Sequence, residues 1–381
     1  MGSFARKVLL LIAALLGALV TAFFAGIQAG LLVLLGVGFG LVLQGFRFGF
    51  TSGWRNWILF KDPRGLYGQM ILMVAASVVS IPLLADHPQE LAGAVAPISW
   101  SLLIGAFVFG IAMQVADGCG SGTLYKAGAS APLAWVTLPA FIVGSTIGAS
   151  HQPAWLSLGG PFSAVSFIER LGLAPALIIT LAGCGLVTAI VFRRGKGMSA
   201  ADRACGPSLP RWVVGALLLA LLYVIHLAVA GQPWGIVYGL GLWGAKIASG
   251  LGVSFSQDAF WGVAPHAQRL ADPVLWDITS LTNFGLLFGA LMAARWKSPS
   301  HKAGSDEQLT SQKSELHIRH WVAAALAGVV MGYSSRLAFG CNIGGFLAGV
   351  ASASLHGWVW FVCAFLGSMI GVRLRLRLNM P

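Results

Sequence analysis

The chain has 381 residues, 57% hydrophobic and only 9% charged, with a mean hydropathy of +0.81. An average soluble protein is about 25% charged, so this chain has too few polar side chains to cover a water-facing surface. The apolar content excludes disorder, and 50 glycines without a G-x-y period exclude collagen.

The net charge of +12 sits in short clusters between apolar runs, at Arg6-Lys7, Arg47 to Arg64, Arg193 to Arg211, Arg295 to Arg319 and Arg373 to Arg377. That is how loops of a multi-pass membrane protein carry charge. A nucleic-acid partner would need one continuous basic patch instead. A span needs about 20 mostly apolar residues. In chain order such runs occupy 8–26, 29–45, 66–85, 98–116, 133–150, 172–192, 211–230, 233–250, 275–294, 320–338 and 356–373. The expected fold is all-α and polytopic, with about 9–11 transmembrane helices. The first run follows basic residues, as a signal peptide does, but passes into the second without a small-residue cleavage site and reads as a span. Polar stretches at 86–90, 193–210 and 297–319 read as loops, with Ser298 to His320 the expected mobile segment. Apolar, Gly-rich pieces after Gly118 and Gly340 are too short to cross. They read as two re-entrant half-helices, which protein or a water-filled cavity must surround.

The sequence repeats itself. Gly110-Ile-Ala-Met113 recurs as Gly328-Val-Val-Met331, and Gly118-Cys119-Gly120-Ser121-Gly122 as Gly340-Cys341-Asn342-Ile343-Gly344. Trp135, Gly144, Ser145 and Gly148 match Trp358, Gly367, Ser368 and Gly371 at one offset, with weaker pairs at Asp62-Pro63/Asp272-Pro273 and Gly36-Val-Gly38/Gly239-Leu-Gly241. The expected organisation is an N-terminal helix (1–28), a first repeat (29–150), a linker with extra helices (151–232), a second repeat (233–373) and a basic tail (374–381). Internal repeats of this kind typify transporters, with the substrate site at their interface. Placing Arg193-Arg194, Arg295-Lys297 and Arg373 to Arg377 on the cytoplasmic side requires an even number of crossings between them. The runs above give three between Arg194 and Arg295. Either one segment in 211–250 does not cross, or 253–265 crosses in part. Both corrections make the second repeat inverted.

Each half offers Gly-Cys-x-x-Gly at the end of a span. The glycines allow a sharp turn and close approach to a ligand, and a helix starting there aims free N–H groups at an anion. Candidate path residues are Gly118, Cys119, Gly120, Ser121, Gly122 and Thr123 in the first motif, and Gly340, Cys341, Asn342 and Gly344 in the second. Lys126 would add positive field or snorkel outward. Lys246, in an apolar stretch, is functional or marks a helix end. Asp117 and Arg336 read as an ion pair or as helix-end charges. His226 and His356 read as structural, Cys184 and Cys363 as inert packing, and Cys205 as a loop residue. No metal spacing or enzyme motif is present, and no cofactor is expected.

With these motifs in a repeated, Gly-rich membrane scaffold, the sequence resembles the YeeE/YedE family of sulphur-transport membrane proteins. Leu43-Gln-Gly-Phe-Arg-Phe-Gly-Phe50 resembles that family's N-terminal motif, and the likeness runs across about 29–373. The resemblance implies thiosulfate as substrate, thiols lining the path, and Cys119 and Cys341 as two of them. Where the family has a third Cys, this chain has Gly49, with Arg47 beside it. The implied function is uptake of thiosulfate, or of a related sulfur or selenium species, through the bacterial cytoplasmic membrane, amid lipid and with a cytoplasmic sulfurtransferase as candidate partner. The competing reading is a membrane sulfur-transfer or redox enzyme. It would require a Cys119 thiolate stabilised by the helix terminus or Lys126.

Overall fold

The computed structural model describes residues 3–195, 209–296 and 316–380. Cys205 and the segment 297–315, most of the stretch expected to be mobile, lie outside the described residues.

The helices in order are α1 (Ser3–Ala25), α2 (Ile27–Gly45), α3 (Phe50–Phe60), α4 (Arg64–Asp86), α5 (Trp100–Val115), α6 (Gly120–Gly128), α7 (Ala134–Ser157), α8 (Phe167–Leu171) and α9 (Leu173–Arg194). They continue with α10 (Arg211–Ala230), α11 (Ile236–Gly250), α12 (His266–Ala271), α13 (Ile278–Trp296), α14 (Ile318–Leu337), α15 (Asn342–Leu347), α16 (Ala348–Ala351) and α17 (Leu355–Arg377). Among the described residues, nine helical stretches are long and apolar enough to cross a membrane, and β-structure is limited to isolated bridges. The chain is an all-helical, multi-pass membrane protein. Its outermost helices carry the exposed apolar side chains, among them Leu19, Phe23 and Phe24 on α1 and Leu186 and Phe192 on α9. Lipid tails, not water, are the solvent that suits them.

Two expected spans are not among the nine. The run 133–150 belongs to α7, which has 24 residues but carries Pro139 and Pro153 together with buried Thr137, Ser145, Thr146 and Gln152. The run 233–250 yields only the 15-residue α11, about 22 Å of helix. Lys246 near its end donates to the carbonyls of Leu270 (2.7 Å) and Asp272 (2.5 Å), beside the start of α13. α11 thus ends on the face where α10 ends.

Contacts between helix ends define two faces. On the basic face Arg211 donates to the Gly45 carbonyl (3.1 Å), and Arg375 donates to the Gln114 carbonyl (3.0 Å). On the opposite face Gln28 donates to the Val229 carbonyl (2.7 Å), and the Ala92 amide to the Gly231 carbonyl (2.8 Å). The repeated glycines lie where helices cross most closely. A Cβ on Gly144 or Gly148 would strike Val329 and Tyr333 of α14, and one on Gly367 or Gly371 would strike Phe107 and Ile111 of α5. Without side chains at these positions, α7 seats backbone-to-backbone on α14 and α17 on α5, the small-residue packing of membrane helices. Those two crossings hold the α5–α6 and α14–α15 junctions, and with them both cysteines, against each other.

Candidate functional site

The two Cys motifs have the same local geometry. Asp117 and Phe339, two residues before each cysteine, both have a φ of 58°. The amides of Gly118 and Gly340 donate five residues back, to Met113 (3.1 Å) and Ser335 (2.8 Å). Cys119 and Cys341 follow with φ/ψ of −86/−168° and −88/−167°. Each then caps a short helix, accepting at its carbonyl from Thr123 (2.8 Å) or Gly345 (2.7 Å). Unlike α6, α15 opens with a wider helical turn. It rests on Trp360, whose indole N–H donates to the Gly340 carbonyl (3.2 Å) and whose ring lies parallel to Phe346.

The motifs meet at the centre. Both sulfurs are buried, and the cysteines are free. Cys341 Sγ lies 3.0 Å from where a Cβ on Gly120 would stand. The backbone N–H groups of Ile343, Gly344 and, from the other motif, Ser121 face the Cys341 sulfur. Cys119 Sγ is 3.3 Å from Ser121 Oγ. Buried polar atoms without a protein partner gather here: Thr51 Oγ1, Thr123 Oγ1 and both amide atoms of Asn342. A buried polar atom left unpaired costs about 1–3 kcal/mol, so these atoms fit a path through which water or an anion passes.

Two cavities flank the centre. Toward the basic face, one of about 20 Å³ is lined by Gly49, Thr51, Asp117, Cys119, Tyr125 and Lys126, among others. That is room for about one water, so an anion requires movement there. Beyond it, Arg47, Gly49, Ser52 and Arg64 line a wider space of about 230 Å³. Toward the opposite face, a vestibule of about 300 Å³ is lined by Tyr238, His266, Arg269, Arg336, Gly340 and Gly344, among others. Cys341 lies between the two sides.

The predicted residues divide accordingly. Gly118, Cys119, Ser121, Gly122, Lys126 and Gly49 share the small cavity, while Gly120 and Thr123 pack immediately behind it. Arg47 stands one cavity further out. Asp117 and Arg336 are not an ion pair, and they stand on opposite sides of the centre. Asp117 accepts from Arg55 and Lys126, with Arg375 at 3.5 Å. Arg336 meets Gln152 and two aromatic rings. Lys126 does not snorkel outward; it binds the Asp117 carboxylate and carbonyl. Lys246 lines neither central cavity and ties α11 to the segment before α13. His226 and His356 bond Thr282 (3.1 Å) and Ser354 (2.7 Å) in the packed interior. Thr51, Tyr125, Tyr238, His266 and Arg269 were not anticipated. Their partners come from distant segments, and no local motif marks them.

A family model described as "Sulphur transport" matches residues 46–370. The chain belongs to this sulphur-transport family of membrane proteins, the YeeE/YedE family. It is 28% identical over 360 residues to the thiosulfate transporter TsuA of Spirochaeta thermophila, covering 90% of this chain and 97% of that one. It is 26% identical over 348 residues to the thiosulfate transporter TsuA of Escherichia coli, covering 86% and 89%. A probable transporter YedE of Salmonella typhimurium is 27% identical over 167 residues, 43% of this chain and 38% of that one.

Proposed function

We propose that this protein is a transporter that carries a small sulfur-containing anion, thiosulfate, inward across the bacterial cytoplasmic membrane between two inverted repeats. The observation that carries the reading is the meeting of two cysteines, with matched backbone geometry, between two cavities. Thiosulfate has a soft terminal sulfur and hard oxygens. Polarisable thiols suit the first, and backbone amides with hydroxyl and amide side chains suit the second. Sulfate offers oxygens alone. Thiol contacts are weak enough for the anion to leave as well as enter, as conduction requires.

The element order supports the repeats. α10, α11, α13, α14, α15–α16 and α17 follow one another as α2, α3, α4, α5, α6 and α7 do, with Cys341 where Cys119 stands. On this reading α2 pairs with α10, which would extend the second repeat upstream of the expected boundary at 233. α3 and α11 then become the two short helices that start near the centre and return to the face they came from, and α6 and α15–α16 become the re-entrant half-helices. By the positive-inside rule the basic face is cytoplasmic. The Cys119 cavity then opens inward and the Arg336 vestibule outward.

The test is uptake of labelled thiosulfate by cells lacking other sulfur-anion uptake, with sulfate and selenite as alternative cargo. Cys119→Ala and Cys341→Ala are each expected to abolish growth on thiosulfate as sole sulfur source while the protein remains in the membrane. Full growth of both variants rules the reading out. A stable thiosulfate adduct on Cys119 by mass spectrometry favours the sulfur-transfer enzyme instead.

A further inference from the structure

The half-helix that starts at Cys341 ends among buried hydroxyl groups that packing does not explain. α15 and α16 together run from Asn342 to Ala351, about 15 Å of helix. The last turn closes with the Ser352 amide donating to the Ala348 carbonyl (2.9 Å), Ala353 to Val350 (3.0 Å) and Ser354 to Gly349 (2.9 Å), and Ala353 has a φ of 50°. α6 ends in the same turn: Ala129 donates to Tyr125 (2.9 Å), Ser130 to Ala127 (3.0 Å) and Ala131 to Lys126 (2.9 Å), with a φ of 64° at Ser130. The two ends differ in chemistry. The first places Ala129 and Ala131 in a partly exposed turn, whereas the second places Ser352 and Ser354 there, both fully buried.

Other hydroxyls converge on this buried end. Ser80 of α4 donates to the Ala351 carbonyl (2.6 Å), and Ser352 Oγ accepts from the Ala94 amide (2.9 Å). The Tyr223 hydroxyl of α10 lies toward Ser352 but forms no hydrogen bond. Ser77, one turn before Ser80 and so on the same face of α4, also has a hydroxyl with no partner. Ser77 and Tyr223 are at most 1% exposed. A buried hydroxyl ordinarily has a partner. Two without one, beside the carbonyl end of a half-helix, indicate a ligand held by oxygen atoms. These groups are all neutral, and the carbonyl end of a helix carries partial negative charge. They fit a small monovalent cation; a divalent ion would ordinarily bring carboxylates.

We propose that Ser77, Ser80, Tyr223, Ser352 and the Ala351 carbonyl form a sodium site, and that sodium binding assists entry of the anion. The half-helix joins the two events. Its N–H end lies at Cys341, where an anion is favoured, and its carbonyl end holds the cation, so both charges stabilise the same placement of the helix. By linkage each raises the affinity for the other. The site lies behind Ala94, which lines the outer vestibule and gives access from outside. A membrane potential that is negative inside opposes entry of a divalent anion and drives a cation inward, so sodium supplies the force that anion uptake needs. The carbonyl ends of broken helices hold coupling ions in transporters generally. The proposal rests on the transport reading above.

The test uses purified wild type, Tyr223→Phe, Ser77→Ala and Ser352→Ala, with Ser130→Ala, at the matching turn of α6, as control. At fixed ionic strength, sodium is expected to raise the wild-type melting temperature above that in choline. In proteoliposomes held at one membrane potential, external sodium is expected to raise initial uptake of labelled thiosulfate above that in choline. Tyr223→Phe and Ser77→Ala remove hydroxyls that have no protein partner, so without sodium both should be as stable as wild type. Each of the three site variants is expected to need about tenfold more sodium for half of the effect, the loss expected for one contact to a charged group. Ser130→Ala responds as wild type does. The proposal is overturned if wild type melts at the same temperature in sodium and choline, which would leave water alone at the site, or if Tyr223→Phe and Ser77→Ala keep the wild-type sodium response. Thiosulfate uptake that ignores sodium overturns the proposal and leaves the transport reading standing. Sodium stabilisation of a wild type that carries no thiosulfate upholds the cation site and overturns the transport reading alone.

Discussion

Adding one methyl group at Gly120 tests whether the cysteine junction is the path. The new Cβ would stand 3.0 Å from Cys341 Sγ, 3.2 Å from Cys341 Cβ and 3.7 Å from Ile236 Cγ2. Ordinary contact begins at 3.4 Å, so Cys341 must retreat by about 0.4 Å into an interior packed like an organic crystal. Overpacking of this kind costs about 1–3 kcal/mol. Exchanging Gly for Ala in a helix returns up to about 1 kcal/mol, so Gly120→Ala should still fold. During transit the junction must widen around an anion, and there the crowding is felt in full. If 1–3 kcal/mol is added to the barrier, the rate falls roughly 5- to 150-fold. Gly344→Ala is the control. Its Cβ meets nothing nearer than the Trp234 carbonyl at 3.9 Å, and it borders the vestibule of about 300 Å³. The assay is initial uptake of labelled thiosulfate, normalised to protein in the membrane. Gly344→Ala should stay within about twofold of wild type. Wild-type uptake by Gly120→Ala, or equal loss in both variants, refutes the assignment of the path to this junction.

Gly49 has an extended backbone (φ −133°), and a Cβ there meets first the Ser52 hydroxyl at 2.6 Å, which can rotate away. Gly49→Cys should therefore fold and raise thiosulfate flux, or its preference over oxygen-only anions, whereas Gly49→Leu blocks the inner cavity; equal loss in Gly49→Ala and Gly49→Cys would make the position packing alone. Burial, then the charges of Arg336 and Arg269, push the His266 imidazole down to about 4. Because the unfolded chain takes up that proton more readily, stability is expected to fall as pH drops from 6.5 toward 4. His266→Asn should flatten that part of a melting-temperature profile, and parallel profiles for the two proteins would contradict the linkage. Asp117→Asn leaves Arg55, Lys126 and Arg375 without their common carboxylate. Breaking a buried pair costs about 3–5 kcal/mol, and the 35% exposure of the carboxylate puts the loss at the low end, readable as a lower melting temperature.

The fold was legible where the physics is local. Long apolar runs produced the spans, and glycines at fixed offsets marked helix crossings, because only a missing side chain allows backbone contact. The Gly-Cys motifs were visible because the same turn is built twice. What failed depended on neighbours. A window across 233–250 averages hydropathy and does not register that α11 stops at 15 residues and is tied back by Lys246. Asp117 and Arg336 are the acid and base nearest the two motifs in sequence, yet the bundle separates them. Asp117 finds Arg55 from α3 and Arg375 from α17, charges that the sequence grouped with loop clusters but that lie in helices. Arg269 and His266 sit in a polar connection, and they become cavity residues because Tyr238 of α11 and Phe260 stand against them.

In the proposed transporter, the distribution of charge about the centre would also give the path a direction. On the outer side, Arg336 and Arg269 border a cavity whose lining contains no carboxylate. An anion about 4 Å from one such charge, at an effective dielectric near 20, gains about 4 kcal/mol before desolvation is subtracted. On the inner side Lys126 also borders the path, but it and Arg55 are already bound to Asp117. An anion reaching Cys119 must compete with that carboxylate for the same cations and is repelled by it. The outer side therefore favours capture and the inner side favours release. Holding the anion equally well at both ends would slow its departure without speeding its arrival. On the proposed path Asp117 is therefore expected to lower the affinity of the inner side, besides holding Arg55 and Lys126 in ion pairs.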